Sequence, residues 1–327
     1  MTDKEFEFTT ENILSQIPHL NDQGINELTI HDSSFASSKP LILKVLQAVK
    51  KYNPQLFLSF PIEVSLIDKD IIKLCSELYT SIDIPLIGNE KNGNLLFDKK
   101  LYSSKAKMLN DEGIVFGFDA QWGKQKGDTF KAFRDRLDFA VSLYPNHIDF
   151  VQFKEDRDPP STGIYSSKDL DFSHGIAFAC RTFYTAGRAV PWMNIVLKAL
   201  KISPSTFFAD FEEWQQCNSC SLESGFVPED RPFLEIQKMQ LLFLQEKFEE
   251  KHKENVFPAV ADLVRLNGAF SLVAEEGQES VIETSYNPDD LLSPYSFDIV
   301  SFVENCPMES CQVKVFEGED SPDYKIL

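Results

Sequence analysis

Short apolar segments alternate with amphipathic segments along the first half of the chain. In the amphipathic segments, apolar residues recur three or four positions apart, as Leu43, Leu46 and Val49 do, which is the spacing of one helix face. The short apolar segments between them have the length of buried strands. Strands are therefore predicted at 27–31, 56–60, 82–87, 113–119 and 148–153, each preceded by a helix. Five such repeats require a mainly parallel sheet covered by helices, either an open doubly wound sheet or a barrel, whole or partial.

The pattern changes after Phe153, where a polar segment with two adjacent prolines, 154–163, interrupts the alternation. Helical spacing then dominates, and helices are predicted at 172–187, 191–201, 204–215, 232–252 and 257–266. Four short apolar segments near the end, 269–273, 281–284, 297–303 and 313–316, predict antiparallel strands. We therefore expect two domains, an α/β domain at 1–155 and a helical extension ending in short strands at 156–327.

The overall charge narrows the range of partners. The formal net charge is −19, from 51 acidic and 32 basic residues, and no run of Lys or Arg offsets it locally. Such a chain repels phosphate backbones, so nucleic acid is not an expected partner. No apolar stretch approaches the roughly 20 residues that span a bilayer, and the start of the chain lacks a secretory signal. We expect a cytoplasmic protein with reduced thiols and no membrane association.

Two closely spaced cysteine pairs are the sharpest chemical feature of the sequence. Cys217 and Cys220 are separated by two residues, and Cys306 and Cys311 by four. Four thiolates brought together would form a zinc site or an unconventional 4Fe–4S cluster site. The long stretch between the two pairs favours the alternative, in which they are separate core thiols. The 28 phenylalanines likewise indicate an aromatic-rich core more than a deep apolar pocket.

Acidic residues recur where the predicted strands end. Asp32, Glu63, Glu90 and Asp119 all lie at or near a carboxyl end, and Gln121 and Gln152 lie at the same end of the sheet. In a barrel this edge holds ligands, and carboxylates there are suited to ribose hydroxyls or a substrate amine. The alternative is that loop ends are polar in any protein.

Common signatures of catalysis are absent from the sequence. None of His19, His31, His147 and His252 has a metal-ligand spacing such as His-Glu-x2-His. There is no phosphate-binding Gly-x4-Gly-Lys-Ser/Thr loop and no Gly-x-Ser-x-Gly nucleophile elbow. The sequence motifs alone therefore assign no reaction.

Several segments, taken in order, resemble the radical S-adenosylmethionine (radical SAM) enzymes. The segment 10–35 resembles the helix and second barrel strand of that family, where the strand ends in an acidic residue, here Asp32, followed by a short turn to Phe35. Segments 60–68, 84–90, 113–129 and 147–153 are similar to strands three to six and their connections. The second half, with Phe183–Trp192, Glu235–Gln240, Asn267–Phe270 and Tyr286–Leu291, resembles the extension of a cobalamin-dependent-like subgroup. The resemblance implies a partial (βα) TIM-type barrel at 1–155 followed by the helical extension.

The departure from the family concerns its iron–sulfur cluster. Radical SAM enzymes hold a 4Fe–4S cluster on a Cys-x3-Cys-x2-Cys motif after the first strand, which would fall just before residue 6 here. The barrel half contains one cysteine, Cys75, within an apolar helix. No cofactor is thus certain, although the resemblance implies binding of S-adenosylmethionine or a related nucleoside by Asp32, Glu90 and Asp119.

The leading interpretation is a pseudoenzyme, a partner or a fragment of an active enzyme that still binds a small ligand at the barrel mouth. One alternative is a radical SAM or metal-dependent enzyme that uses the late cysteine pairs. Another is a non-catalytic interaction module. A sheet without its first strand has an open edge, which we expect the first residues, the C-terminal strands or another subunit to cover.

Overall fold

The structure is a computed structural model that describes residues 10–91, 94–123, 127–152, 161, 163–319 and 321–327. The chain divides into two compact units. The first comprises the described residues up to 128 together with 143–152, and the second comprises 129–142 and the described residues from 161 onward. The predicted domain boundary at 155–156 lies outside the described residues. The segment 129–142, which the sequence assigns to the barrel half, groups with the second unit.

The first unit is built on a parallel sheet of five strands in the order β1-β2-β3-β6-β7. These strands are β1 (Glu27–Thr29), β2 (Phe57–Pro61), β3 (Thr80–Pro85), β6 (Val115–Ala120) and β7 (His147–Phe150). A separate hairpin consists of β4 (Asn89–Lys91) and β5 (Asn94–Leu96). The helices are α1 (Thr10–Leu20), α2 (Ser33–Ala36), α3 (Lys39–Tyr52), α4 (Lys69–Cys75) and α5 (Lys99–Asp111). Asp68 caps α4, because its carboxylate accepts the amide hydrogens of Asp70 and Ile71.

The two faces of this sheet differ in polarity. One face is apolar and buried, and it consists of Leu58, Phe60, Ile82, Ile84, Phe116, Phe118, Ile148 and Phe150. Helices pack on it, since the ring of Phe35 in α2 lies 6.0 Å from that of Phe60 and the ring of Tyr102 in α5 lies 6.1 Å from that of Phe118. The alternate positions point to the opposite face. That face carries Ser59, Pro61, Ser81, Asp83, Pro85, Val115, Gly117, Asp119, His147 and Asp149.

A sheet with one apolar face differs from a doubly wound sheet, in which helices cover both faces. Among the described strands β1 and β7 form the two edges, so the sheet is open. The predicted α/β class, with a partial sheet of βα units and a helical extension carrying a small antiparallel sheet, is confirmed. Residues 1–9, one of the covers predicted for the β1 edge, lie outside the described residues, and the C-terminal strands pair with one another instead.

The second unit is mainly helical. Its helices are α6 (Phe130–Val141), α7 (Ser167–Cys180), α8 (Met193–Leu200), α9 (Pro204–Cys217), α10 (Phe233–Glu250), α11 (Phe257–Glu276), α12 (Pro288–Leu291) and α13 (Ile299–Asn305). A single π-helical segment, Arg181–Ala186, continues α7. A three-stranded antiparallel sheet, in the order β10-β9-β8, consists of β8 (Ser280–Thr284), β9 (Cys311–Glu317) and β10 (Pro322–Ile326).

Two of the predicted C-terminal strands are wrong. Residues 269–273 continue α11, and residues 297–303 lie mostly in α13. The apolar run 269–273 packs inside a long helix that ends only at Gly277, whose φ of 64° permits the left-handed turn. The strands predicted at 281–284 and 313–316 are confirmed, whereas β10 was not predicted.

Helix α11 is long and apolar enough to cross a membrane, the one such helix in the part of the chain that the structure describes. However, 61% of the most apolar 18-residue stretch of this helix is buried inside the fold. It also packs against α10 and against the strands β8 and β9. These contacts are those of a core helix, which has the same length and composition as a membrane span.

A buried aspartate in α11 holds the chain that follows β8. The carboxylate of Asp262 accepts hydrogen bonds from the amides of Ser285 (2.6 Å) and Tyr286 (3.1 Å). Burial raises the pKa of Asp262 to about 6, against the opposing effect of these two hydrogen bonds. The folded state therefore binds this proton more tightly than the unfolded chain does. The contribution of Asp262 to stability is largest in acid and decreases as pH rises from about 4 to about 6.

We expect Asp262→Asn to remove this pH dependence while keeping an oxygen that accepts the two amide hydrogens. The stability of the wild type relative to the variant should fall by about 1–3 kcal/mol between pH 4 and pH 6.5. Urea denaturation of both proteins across this range measures the difference. The exposed Asp171→Asn serves as the control. A wild-type advantage that grows with pH would contradict the expectation.

Candidate functional site

Polar side chains form two rows across the polar face of the sheet, on the three adjacent strands β3, β6 and β7. In the first row Asp83 of β3 pairs with Gly117 of β6, which pairs with His147 of β7. In the second row, two residues further along, Asp119 of β6 pairs with Asp149 of β7. Register and alternation thus place three carboxylates and one imidazole on the same face. We call Asp83, Asp119, His147 and Asp149 the acidic rows.

Three of these side chains converge on one point. The Nε2 atom of His147 lies 2.8 Å from Oδ1 of Asp83 and 3.8 Å from Oδ2 of Asp149. One potential ligand atom from each residue lies within 4.8 Å of the other two, and this is the one such group of three that the described residues form. Asp83 is only 7% exposed, whereas the Asp149 side chain is 32% exposed. The cluster therefore has a buried end and an end open to solvent.

Gly117 makes the contact between Asp83 and His147 possible. The strands β3 and β7 are separated by β6, and neighbouring strands lie about 4.8 Å apart, so the imidazole must cross the middle strand. A Cβ atom on Gly117 would lie 2.1 Å from both Cδ2 and Nε2 of the His147 ring. The absence of a side chain at this position leaves the space that the ring occupies.

The predicted ligand residues lie in different environments. Asp119 belongs to the acidic rows, and Gln121 follows it just beyond β6. Asp32 caps α2 instead, where hydrogen bonds from the side chain and the amide of Ser34 lower the pKa of its carboxyl. Glu63 is exposed beyond the end of β2.

Of the two remaining predicted residues, Glu90 is described only in part, and Gln152 is buried beside Trp122. Glu90 lies in β4, but its side chain lies outside the described part of the chain. Gln152 is buried, and its Nε2 atom donates to the carbonyl of Trp122 at 2.7 Å. Trp122 itself packs against Phe150, which belongs to the apolar face of the sheet. Of the six predicted residues, Asp119 is thus the one that the acidic rows contain.

The four cysteines of the predicted metal site lie at or just beyond the ends of α9 and α13 and at the start of β9. Cys217 ends α9 and is exposed, Cys306 follows α13, and none of the four belongs to the cluster of potential ligands described above. The thiols of Cys220 and Cys311 donate to the carbonyls of Gln215 and Glu309. Burial raises the pKa of both thiols, which disfavours the thiolate form that metals bind.

Asp83, His147 and Asp149 were not among the predicted site residues. For Asp83 and Asp149 the signal in the sequence is a single charged residue between apolar ones, as in Ile82-Asp83-Ile84 and Ile148-Asp149-Phe150. Alternation would have assigned each to the face opposite the core. Only the register between the strands shows that they meet.

Comparison with known proteins gives limited similarity. No protein-family profile matches the sequence, and no curated protein matches it at a significant level. Two solved structures of TsrM, a radical S-adenosylmethionine methyltransferase from Kitasatospora setae, are similar in part. One has cobalamin and a [4Fe-4S] cluster bound, and the other has tryptophan substrate and the SAM analog aza-SAM bound. Each match has a TM-score of 0.35 and 16% identity, and covers 43% of this chain but 30% of that chain. A similarity this weak establishes neither a shared fold nor a shared activity.

Proposed function

We propose that the polar face of the five-stranded sheet binds a small nucleoside-type molecule, S-adenosylmethionine or a relative, in a radical SAM-like protein that forms no adenosyl radical by itself. The observation that carries this proposal is the pair of acidic rows on β3, β6 and β7, of which the Asp119–Asp149 row lies towards the carboxyl edge of the sheet. Ligands of sheets built from βα units bind at this edge. The resemblance of the sequence segments to radical SAM strands supplies the ligand class.

Asp119 and Asp149 are the residues best placed to hold such a ligand. Both are half-buried, so their carboxylates combine access to solvent with a partly dehydrated environment. Carboxylates accept hydrogen bonds from ribose hydroxyls and from an amine, and they attract a sulfonium charge. Their position on paired residues of adjacent strands provides two acceptors side by side on one rigid surface.

The residues of this chain do not fit a 4Fe–4S cluster at that face. A cluster requires several converging thiolates, and the first 159 residues contain one cysteine, Cys75. This thiol is buried, and burial raises its pKa to about 12. The proposal therefore limits the protein to ligand binding, as a pseudoenzyme, a partner of an active enzyme or a part of one.

Binding of the ligand is tested by calorimetric titration with S-adenosylmethionine, S-adenosylhomocysteine and adenosine. Asp119→Asn is expected to weaken binding of the preferred compound about tenfold or more, because it removes a charged hydrogen-bond acceptor worth about 1.5–3 kcal/mol. Asp111→Asn is a matched control, since Asp111 is an exposed residue of the same unit that pairs with Lys107. Equal affinities of the wild type and Asp119→Asn, or no binding of any of the three compounds, would contradict the proposal.

A second experiment tests the proposal that the protein forms no adenosyl radical by itself. The protein is purified anaerobically, reconstituted with iron and sulfide, and analysed for both elements and for the absorption of a cluster. We expect less than one iron per chain after desalting. About four iron and four sulfide per chain, together with reductive cleavage of S-adenosylmethionine, would instead identify an active radical enzyme.

A further inference from the structure

We infer that Asp83, His147 and Asp149 form a binding site for a divalent first-row transition-metal ion such as Zn²⁺. The inference shares Asp149 with the proposed nucleoside site, but it does not depend on nucleoside binding, because it is tested with the metal alone. It is carried by the convergence of one imidazole nitrogen and two carboxylate oxygens within 4.8 Å of one another.

The distances suit a single ion. Zinc binds histidine nitrogen and carboxylate oxygen at about 2.0–2.2 Å, so ligand atoms around one ion lie roughly 3–3.5 Å apart. The Nε2 atom of His147 is already 2.8 Å from Asp83 and 3.8 Å from Asp149. The oxygens of Asp83 and Asp149 lie within 4.8 Å of each other, so small side-chain movements would bring all three atoms around one ion.

The charges also favour a cation at this point. Two carboxylates lie against one imidazole nitrogen, and one of them, Asp83, is held on a central strand at low exposure. A divalent ion between two carboxylates interacts favourably with both of their charges. The part-exposed Asp149 side chain provides the path by which the ion enters from solvent.

The scaffold fixes the ligands before any ion arrives. All three residues lie on strands of one sheet, where backbone hydrogen bonds set their relative positions. Gly117 leaves room for the imidazole to cross β6 and reach Asp83. The donor set of one nitrogen and two oxygens suits zinc, iron or manganese better than the soft thiolate-binding metals. Three protein ligands also leave at least one coordination position open, as in catalytic zinc sites.

The competing interpretation is a hydrogen-bonded Asp83–His147 pair that binds no ion. Calorimetry with Zn²⁺ in 0.15 M salt, and the absorption spectrum of added Co²⁺, distinguish the two. We expect one high-affinity ion per chain and visible Co²⁺ bands typical of four or five ligands. His147→Gln should weaken Zn²⁺ binding about 100-fold or more, and Asp149→Asn, a change at a part-exposed side chain that preserves shape, about tenfold or more.

His31→Gln is the matched control, because His31 is an exposed histidine of the same unit. It should bind Zn²⁺ as the wild type does, and far-UV circular dichroism of all variants checks that they fold. The inference is overturned if the wild type binds Zn²⁺ only weakly and at several sites. It is equally overturned if folded His147→Gln and Asp149→Asn retain the wild-type affinity. Nucleoside binding that persists without the metal would leave the proposed function standing, so the two failures are distinguishable.

Discussion

Replacing Phe183 with alanine is expected to destabilise the second unit by about 4 kcal/mol. Phe183 is fully buried in the π-helical segment, and its ring centroid lies 4.8 Å from that of Phe207 and 4.9 Å from that of Phe211. The rings of Trp192 and Phe243 complete the cluster at 5.7 and 6.1 Å. Truncation would leave a cavity in the centre of four edge-on aromatic contacts, which surrounding rigid rings cannot close.

The effect is measured by urea denaturation, with tryptophan fluorescence and circular dichroism followed together. Phe183→Leu keeps most of the volume and should cost about 1–2 kcal/mol, so it remains informative if the alanine variant does not fold. Phe297, which is 58% exposed, provides the control, since Phe297→Ala should change stability by less than about 0.5 kcal/mol. Similar losses for Phe183→Ala and Phe297→Ala would show that the cluster is not the core of this unit.

The parallel sheet could be predicted from the sequence because each strand has an apolar run of limited length. The predicted segments 27–31 and 113–119 overlap the observed strands Glu27–Thr29 and Val115–Ala120. The same rule failed at 269–273, since a short apolar run inside a helix looks identical to a buried strand. Only packing against the neighbouring helix and strands determines that this run continues α11.

Of the four residues in the acidic rows, the sequence predicted Asp119 but not Asp83, His147 or Asp149. The carboxyl edge of the sheet follows from the order of strands and helices, and it led to Asp119. Asp83 and His147 could not be connected in the same way, because 64 residues separate them in the chain and two strand pairings join them in space. Neither residue belongs to a local spacing motif, so no pattern along the sequence marks the pair.

The cysteine pairs illustrate the opposite situation, in which the prediction rests on a local spacing alone. A short spacer between two thiols is necessary for many zinc sites, but the two pairs must also meet in space. Cys220 donates its hydrogen to the carbonyl of Gln215, and Cys311 donates to that of Glu309. Each of these two thiols therefore has a hydrogen-bond partner close to it in the chain.

Gly117→Ala is expected to abolish the metal site without altering any ligand atom. The added methyl group would occupy the position of the His147 ring, 2.1 Å from Nε2, and the backbone of a central strand cannot move away. The imidazole must then rotate away from the sheet, which separates its Nε2 atom from the carboxylate of Asp83. We expect Zn²⁺ binding to weaken about 100-fold and stability to fall by about 1–3 kcal/mol.

Calorimetry with Zn²⁺ and the long-range ¹H–¹⁵N spectrum of His147 measure the two consequences separately. Gly163→Ala is the control, because nothing lies within 4 Å of a Cβ placed there, and it should bind Zn²⁺ as the wild type does. If Gly117→Ala binds Zn²⁺ with wild-type affinity, the ion does not require the imidazole to cross β6. The geometry that joins Asp83, His147 and Asp149 would then have no role in binding, because Gly117 is the residue whose missing side chain lets those three groups meet.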